Sequence, residues 1–259
     1  MNYETIKLEI STNNIAVLTL ARPKQMNAMN TQMRAELTYA IRDAATKARV
    51  LVITGSGKAF CSGQDLSDGA RASNLDLERT LRDEYVPLLK AIYDCPIPTI
   101  AAVNGAAAGA GANFALAADI VIAKESAYFL QAFTKIGLMP DAGGTYWLPR
   151  MMGNAKAMGA ALFGEKISAK QADDWGMIWE AVPDEDFAAT CKARALHLSK
   201  GPTLAYEHIK EAIRGGWDNS LADQLELEGR KQGACGKSRD FQEGIVAFVD
   251  KRPAHFEGR

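Results

Sequence analysis

The chain of 259 residues is long enough to bury a full core without disulfide or metal staples, as one large domain or as a domain with a helical appendage. Its 30 Lys and Arg against 31 Asp and Glu leave a formal net charge of -1, so no broad field gathers nucleic acid or coats an anionic membrane, and an acidic ligand must be met by local groups. Cys61, Cys95, Cys191 and Cys235 lie far apart without a C-x-x-C pair, and Met1 to Ile10 has neither the basic start nor the apolar run of a signal peptide, which points to a reducing compartment, the cytoplasm.

Ile6, Leu8 and Ile10 alternate with polar residues, Asn13-Asn14 mark a turn, and Ile15 to Leu20 follow, so the chain is expected to open as a β-hairpin that Pro23 ends. From Thr31 to Ala48 the residues Met33, Leu37, Ala40, Ile41 and Ala44 recur at helical spacing with Asn30 placed to cap, and Val50 to Ile53 reads as a short buried strand. Leu66 to Asn74 is small and polar, a loop. A helix to about Asp94, the strand Thr99 to Val103, a helix near Gly109 to Ala118 and the strand Ile120 to Ala123 come next. The mild stretch Ile97 to Ala123 is interrupted by Asn104, Asn113 and Asp119, which makes it a poor bilayer span. Further helices are expected after Gly153, Ser168 and Asp184. Beyond Gly201-Pro202 only the amphipathic stretches Leu204 to Ile213, Leu221 to Gln232 and Phe241 to Phe248 remain, a helical packing module.

Two turns stand out because each follows a buried strand and presents small residues where backbone N–H groups can stay free. One runs from Gly57 to Leu66 and the other from Ala102 to Asn113, the latter at a helix start. Together they can form a two-donor oxyanion hole; singly, either could be no more than a tight turn. Other motifs fail on inspection. Thr54 to Ala59 lacks the hydroxyl and the upstream glycine of a phosphate loop, and Phe114 stands where a dinucleotide fingerprint needs glycine. His197, His208 and His255 show no metal-ligand spacing, so no metal is expected. Cys61 and the pair Trp175 and Trp179 read as packing residues.

Taken in order, the segments Arg22-Pro23 with Asn27-Ala28 and Asn30, Ile53-Thr54-Gly55 to Gly63-Gln64-Asp65-Leu66, Ala102-Val103-Asn104-Gly105 to Ala118-Asp119, Gly137-Leu138 with Pro140 and Gly143-Gly144-Thr145, Ile167-Ser168-Ala169, and Gly244 to Arg252 with Phe256 resemble the crotonase, or enoyl-CoA hydratase/isomerase, superfamily nearly end to end. The resemblance implies an α/β fold, a crotonase-like (ClpP/crotonase) spiral of β-β-α units over 1–200 that carries the CoA and catalytic site, and a helical oligomerisation module over 201–259. It also implies an acyl-CoA substrate, a homotrimer or homohexamer, and no cofactor beyond the coenzyme A of the substrate. By the same resemblance the N–H groups of Gln64 and Ala110 are the oxyanion pair, and Lys24, Ala28, Ala59, Asp65 and Leu66 contact coenzyme A. The resemblance further implies that Phe256, with Lys251, closes the nucleotide site of a neighbouring subunit.

Hydratases of this superfamily place two glutamates about a water molecule, and those positions fall here on Asn113 and Phe133, neither of which can act as a base. Asp141, before the Gly143-Gly144 turn, is the carboxylate that remains, and it could serve as a single acid/base or merely cap the next helix. Gly63-Gln64-Asp65-Leu66, Ala107 to Ala112, Ala132-Phe133 with Lys135, Pro140-Asp141 and Trp175-Gly176-Met177-Ile178-Trp179 are most similar to the branch that isomerises ring-1,2-epoxyphenylacetyl-CoA to the oxepin thioester and moves double bonds in unsaturated acyl-CoAs. An enoyl-CoA hydratase or delta-isomerase of fatty acid oxidation, and a non-enzymatic acyl-CoA-binding scaffold, are the alternatives.

Overall fold

A computed structural model of the protein describes residues 3–67 and 76–259. Most of the expected loop over 66–74, from residue 68 onward, lies outside the described residues.

Strands β1 (Ile6–Ile10) and β2 (Ile15–Leu20) form the hairpin, with Ile6 opposite Leu20 and Asn14 turning the chain at φ 57, a conformation its short amide tolerates. Helix α1 (Thr31–Lys47) starts where the Asn30 side chain accepts the N–H of Met33 at 2.9 Å, and its stripe of Met33, Leu37, Ala40, Ile41 and Ala44 is buried. The chain then repeats one unit: a strand in a long sheet, a corner, a short strand in a second sheet, and a helix. The first unit is β3 (Val50–Gly55), β4 (Ala59–Cys61), then α2 (Leu77–Thr80), a π-helical turn (Leu81–Tyr85) and α3 (Val86–Tyr93). The second is β5 (Thr99–Val103), β6 (Ala106–Ala108) and α4 (Ala110–Leu116). The third is β7 (Ile120–Lys124), β8 (Tyr128–Leu130), a 3-10 turn (Ala132–Ile136) and α5 (Gly144–Phe163). β9 (Lys166–Ser168), α6 (Ala169–Asp174), β10 (Glu180–Val182) and α7 (Phe187–Ser199) complete the spiral.

The long sheet has the order β1-β2-β3-β5-β7-β10 and the short one β4-β6-β8-β9. Leu51 and Ile53 pack into the cluster that holds the α1 stripe, while Val50 and Val52 pack with Phe187 and Cys191 of α7. That is why β3 is a continuous apolar run: both faces of a central parallel strand are covered. The corners are drawn tight by backbone. A Cβ on Gly55 would stand 2.3 Å from the Ala59 carbonyl oxygen, and one on Gly105 2.1 Å from that of Lys58. Asn27 donates to the carbonyls of Ser56 and Ala59 at 2.9 and 2.8 Å, and Asn104 accepts from Gly55 N–H at 3.0 Å, so a buried amide and a half-buried one pin the first corner to its neighbours.

The helix expected after Gly153 is present; another helix, from Gly144, precedes it, and the two meet at Gly153 (φ 77, ψ 161), a kink within α5 where only glycine sits without strain. One expectation needs correction. Trp179 does not pack in a core: it is 62% exposed, because its N–H donates to Val121 carbonyl as the chain joins the edge of the long sheet and the indole is left outward. Trp175 does pack against the core.

The tail forms α8 (Thr203–Gly215), α9 (Leu221–Cys235) and α10 (Arg239–Val249). Helix α8 is fastened to the spiral by Lys210 and Arg214, which meet the two carboxylate oxygens of Asp119 at 2.8 and 2.7 Å. Among the described residues no helix is long and apolar enough to cross a membrane.

Candidate active site

Gln64 and Ala110 each follow a glycine with a positive φ, Gly63 at 95° and Gly109 at 52°. At such a residue the next peptide plane swings round, so its N–H points away from the strand ladder. Ala110 is also the first residue of α4, where an N–H has no intrahelical acceptor. Among the described residues neither N–H donates to an acceptor of the chain. The two turns interlock: a Cβ on Gly63 would lie 2.8 Å from Ala108 carbonyl oxygen and 3.3 Å from Ala110 nitrogen, and one on Gly111 2.4 Å from Cys61 carbonyl oxygen. A methyl group at either position would push the turns apart. Cys61 itself is fully buried, donates its S–H to Asn27 carbonyl at 3.1 Å, and is raised by burial to about 12, so the thiol is inert at neutral pH.

Asp141 does not cap α5 with its side chain. Its main-chain carbonyl accepts Gly144 N–H at 2.8 Å, and its Oδ1 is buried with no hydrogen-bond partner among the described residues. Burial pushes the carboxyl up to about 6, against the opposing effect of its own N–H, which bonds to the ionised form. The same carbonyl accepts Nδ2 of Asn113 at 2.7 Å, and Asn113 Oδ1 accepts from Gln131 Nε2 at 2.8 Å. The orientation of the Asn113 amide follows from chemistry, since a carbonyl can only accept. Asn113, where the sequence resemblance places a hydratase glutamate, is thus a buried strut under the Asp141 turn. Phe133, at the second glutamate position, lies with its ring 3.7 Å from where a Cβ of Gly109 would stand, next to Ala110. Both substitutions are legible in the sequence, but the strut is not, because Gln131 and Asp141 reach Asn113 only through the fold.

The residues expected at coenzyme A are spread differently. Lys24 is exposed beside Pro23, and Leu66 is 65% exposed at the edge of the Gln64 turn. Ala28 and Ala59 are buried and act through their carbonyls, which accept from Arg22 at 2.6 Å and Asn27 at 2.8 Å. Asp65 is also buried. Burial alone would raise its pKa, but hydrogen bonds from Ser67 and Arg22 outweigh it and hold the carboxyl below the usual range. Its carboxylate is occupied within the chain by Arg22 at 2.7 Å, so the side chain braces the turn. Phe256 lies far along the chain against Gly244 of α10, and its carbonyl accepts from Arg49 at 2.9 Å. Together with Ile209, Leu225, Phe241 and Phe248 it lines a cavity of about 970 Å3 between the tail helices, apart from the Gln64, Ala110 and Asp141 group.

Free main-chain donors such as those of Gln64 and Ala110 can polarise a carbonyl, and a carboxyl of raised proton affinity such as that of Asp141, whose turn is bonded to Asn113 of α4, can move a proton. Comparison with known proteins agrees with that chemistry. The family model "Enoyl-CoA hydratase/isomerase" matches residues 11–259. The chain is 61% identical over 259 residues to a Rhodobacter capsulatus protein named "Probable enoyl-CoA hydratase", covering 100% of both. It is 45% identical over 250 residues to the 1,2-epoxyphenylacetyl-CoA isomerase of Escherichia coli K12, covering 95% of each. A crystal structure of an enoyl-CoA hydratase from Polaromonas sp. JS666 superposes with a TM-score of 0.91 at 32% identity, covering 97% of this chain and 99% of that one. With a model that spans nearly its whole length and relatives that match it end to end, the chain belongs to the enoyl-CoA hydratase/isomerase family.

Proposed function

We propose that this protein is an acyl-CoA isomerase, that its substrate is ring-1,2-epoxyphenylacetyl-CoA, and that it also shifts double bonds in unsaturated acyl-CoAs. The observation that carries the reading is the Asp141 carboxyl, whose buried Oδ1 has no hydrogen-bond partner among the described residues, while Asn113 and Phe133 fill the two positions where the resemblance places hydratase glutamates. In the proposed mechanism the thioester oxygen accepts from Gln64 and Ala110 N–H, which makes the α-carbon more acidic. The epoxide opens to the seven-membered ring by breaking the C–C bond between its two carbons, with both C–O bonds kept; Asp141 takes the α-proton, and the enolate electrons drive migration of the C=C bond, in the oxepin as in unsaturated acyl chains. The protonated Asp141 then returns the proton to the rearranged product. One proton leaves and one returns, so the step calls on no redox partner and no cofactor beyond the coenzyme A already on the substrate. The 45% identity to the Escherichia coli isomerase supports the choice of acyl group. A homotrimer or homohexamer working in the cytoplasm belongs to the same proposal.

Hydration is the second reading, favoured by the name of the 61% identical relative. Incubation with a panel of unsaturated and epoxidised acyl-CoAs in heavy water, followed by mass and ultraviolet spectra, separates the two. Isomerisation gives deuterium at the α- or γ-carbon of alkenes and an oxepin from the epoxide; hydration gives a hydroxyacyl-CoA. Asp141→Asn is expected to lower isomerisation on the order of 10²- to 10⁴-fold, the usual contribution of a positioned acid/base. Turnover retained in that variant would exclude Asp141 as the base.

A further inference from the structure

Arg34 is a buried ion to which the chemistry above assigns no task. It is 2% exposed on α1, flanked by the apolar stripe of Met33 and Leu37, where an apolar side chain would pack without desolvating a charge. A guanidinium cannot shed its proton, so its burial demands that every donor be met. They are met by acceptors on three segments, the start of α1 with Met29, the Gln64 turn and the π-helical turn. Nε and Nη2 donate to Oε2 of Glu84 at 2.9 and 2.6 Å, and Nη2 also donates to Thr31 Oγ1 at 3.1 Å. Nη1 donates to the carbonyl of Met29 at 2.6 Å and to Oε1 of Gln64 at 2.9 Å. The hydroxyl of Tyr85, whose ring centroid lies 5.0 Å from the guanidinium carbon, donates to the same Oε1 at 2.7 Å.

Met29 in turn grips both neighbours of Gln64. Its N–H donates to Gly63 carbonyl at 2.8 Å and its carbonyl accepts Asp65 N–H at 3.1 Å. One guanidinium therefore fixes the segment that Gln64 is bridged to and the Gln64 side chain itself, and the Gln64 N–H lies between those two fixed points. Glu84 and Tyr85 both belong to the π-helical turn Leu81–Tyr85, an irregularity that costs hydrogen-bond quality and is commonly kept where it serves a site.

We propose that Arg34 is a positioning residue: with Glu84 and Tyr85 it clamps the Gln64 turn so that the Gln64 N–H is aimed at the thioester oxygen of the substrate. This rests on the oxyanion-hole reading given above. The planar fork is what the task needs, since it serves acceptors on three segments at fixed angles, which a lysine cannot do.

The test uses the full-length protein with 4-(dimethylamino)cinnamoyl-CoA, whose absorption moves to the red as its thioester carbonyl is polarised, alongside isomerisation kinetics on an unsaturated acyl-CoA. The unaltered protein is expected to produce the red shift. In Arg34→Met the shift is expected to fall by half or more and kcat by on the order of 10²-fold, with KM changed by less than about threefold, because a donor displaced by an ångström fails in the transition state more than in binding. Arg34→Lys is expected to recover thermal stability but not the red shift. Tyr85→Phe, which keeps the shape and removes one hydrogen bond, is expected to lower kcat about 5- to 10-fold, and it carries the test if Arg34→Met does not fold. A red shift and kcat that stay intact in the folded Arg34→Met, or in Tyr85→Phe where that variant carries the test, overturn the proposal. Absence of any red shift in the unaltered protein would instead sink the oxyanion-hole reading, and this assignment with it.

Discussion

The turn that carries Gln64 is tied down from three directions, whereas the turn that carries Asp141 is held through its main chain and leaves its carboxylate loose. Met29 brackets Gln64 on both sides, Arg34 and Tyr85 hold its side chain, and Gly63 is pressed against Ala108 and Ala110. At Asp141 the carbonyl is bonded to Asn113 and Gly144, while Oδ1 has no partner among the described residues. Under the proposed function the contrast matches two kinds of work. A donor aimed at developing charge is useful only if it need not reorganise, so it gains from every extra tether. A base needs a proton affinity near the working pH, and each hydrogen bond donated to its ionised form would lower that affinity. The Gln64 turn is held by many tethers, whereas the Asp141 carboxylate receives the bond of its own N–H and leaves Oδ1 without a partner among the described residues.

The sharpest way to break the contrast is to loosen the tight wall. In Gly63→Ala the new Cβ would meet Ala108 carbonyl oxygen at 2.8 Å at a φ of 95° that alanine avoids, so the turn must shift. Isomerisation is expected to fall on the order of 10²-fold, with the red shift of the bound chromophoric thioester lost in parallel. A variant that retains both would show that the Gln64 turn is not the oxyanion wall. A milder change acts on the other side. Asn113→Ala removes the strut beneath Asp141 and strands the Gln131 amide donor in the interior, which is expected to cost roughly 1–3 kcal/mol of stability in chemical denaturation. Because Gly144 still bonds the Asp141 carbonyl, kcat is expected to drop only about tenfold, the effect of a base that is present but less well placed. An undiminished kcat in the folded variant would show that the Gly144 bond alone places the base.

Much of the frame could be read in advance, and the reasons differ by element. Helix α1 and strands β3, β5 and β7 announce themselves through periodicity or unbroken apolar runs, because each buries one or two whole faces. The strands β4, β6, β8, β9 and β10 do not, since three residues each are too few for a period to show. Gln64, Ala110 and Asp141 stand out in the sequence through the glycine turns and the family resemblance. The supports behind them were hidden for a physical reason. Arg34 meets Gln64 across 30 residues and Glu84 across 50, and Gln131 reaches Asn113 across 18, so no local pattern links them. A charged residue beside the buried stripe of α1 was the one available signal, and it reads equally well as a solvated face until burial is known.

The smallest effect concerns the loose carboxylate, and it separates its value to catalysis from its cost to folding. The folded Asp141 carboxyl binds its proton more tightly than the unfolded one, with its pKa raised from 3.8 to about 6 by burial. The group therefore favours folding most below the unfolded value, and that contribution is lost as pH rises through about 6. Catalysis runs the other way, because the base must be ionised: kcat/KM is expected to climb through the same region and level off above it. Asp141→Asn, slowed on the order of 10²- to 10⁴-fold, should accordingly be more stable at pH 8, by about 1–2 kcal/mol once the partly solvated carboxylate is discounted, and close to the parent in stability near pH 4. Thermal or urea melts of the two proteins at both pH values measure this directly. An asparagine variant that is less stable at pH 8 would mean that the carboxylate has found a partner in solution, and the distinction between a tethered wall and a free base would no longer hold.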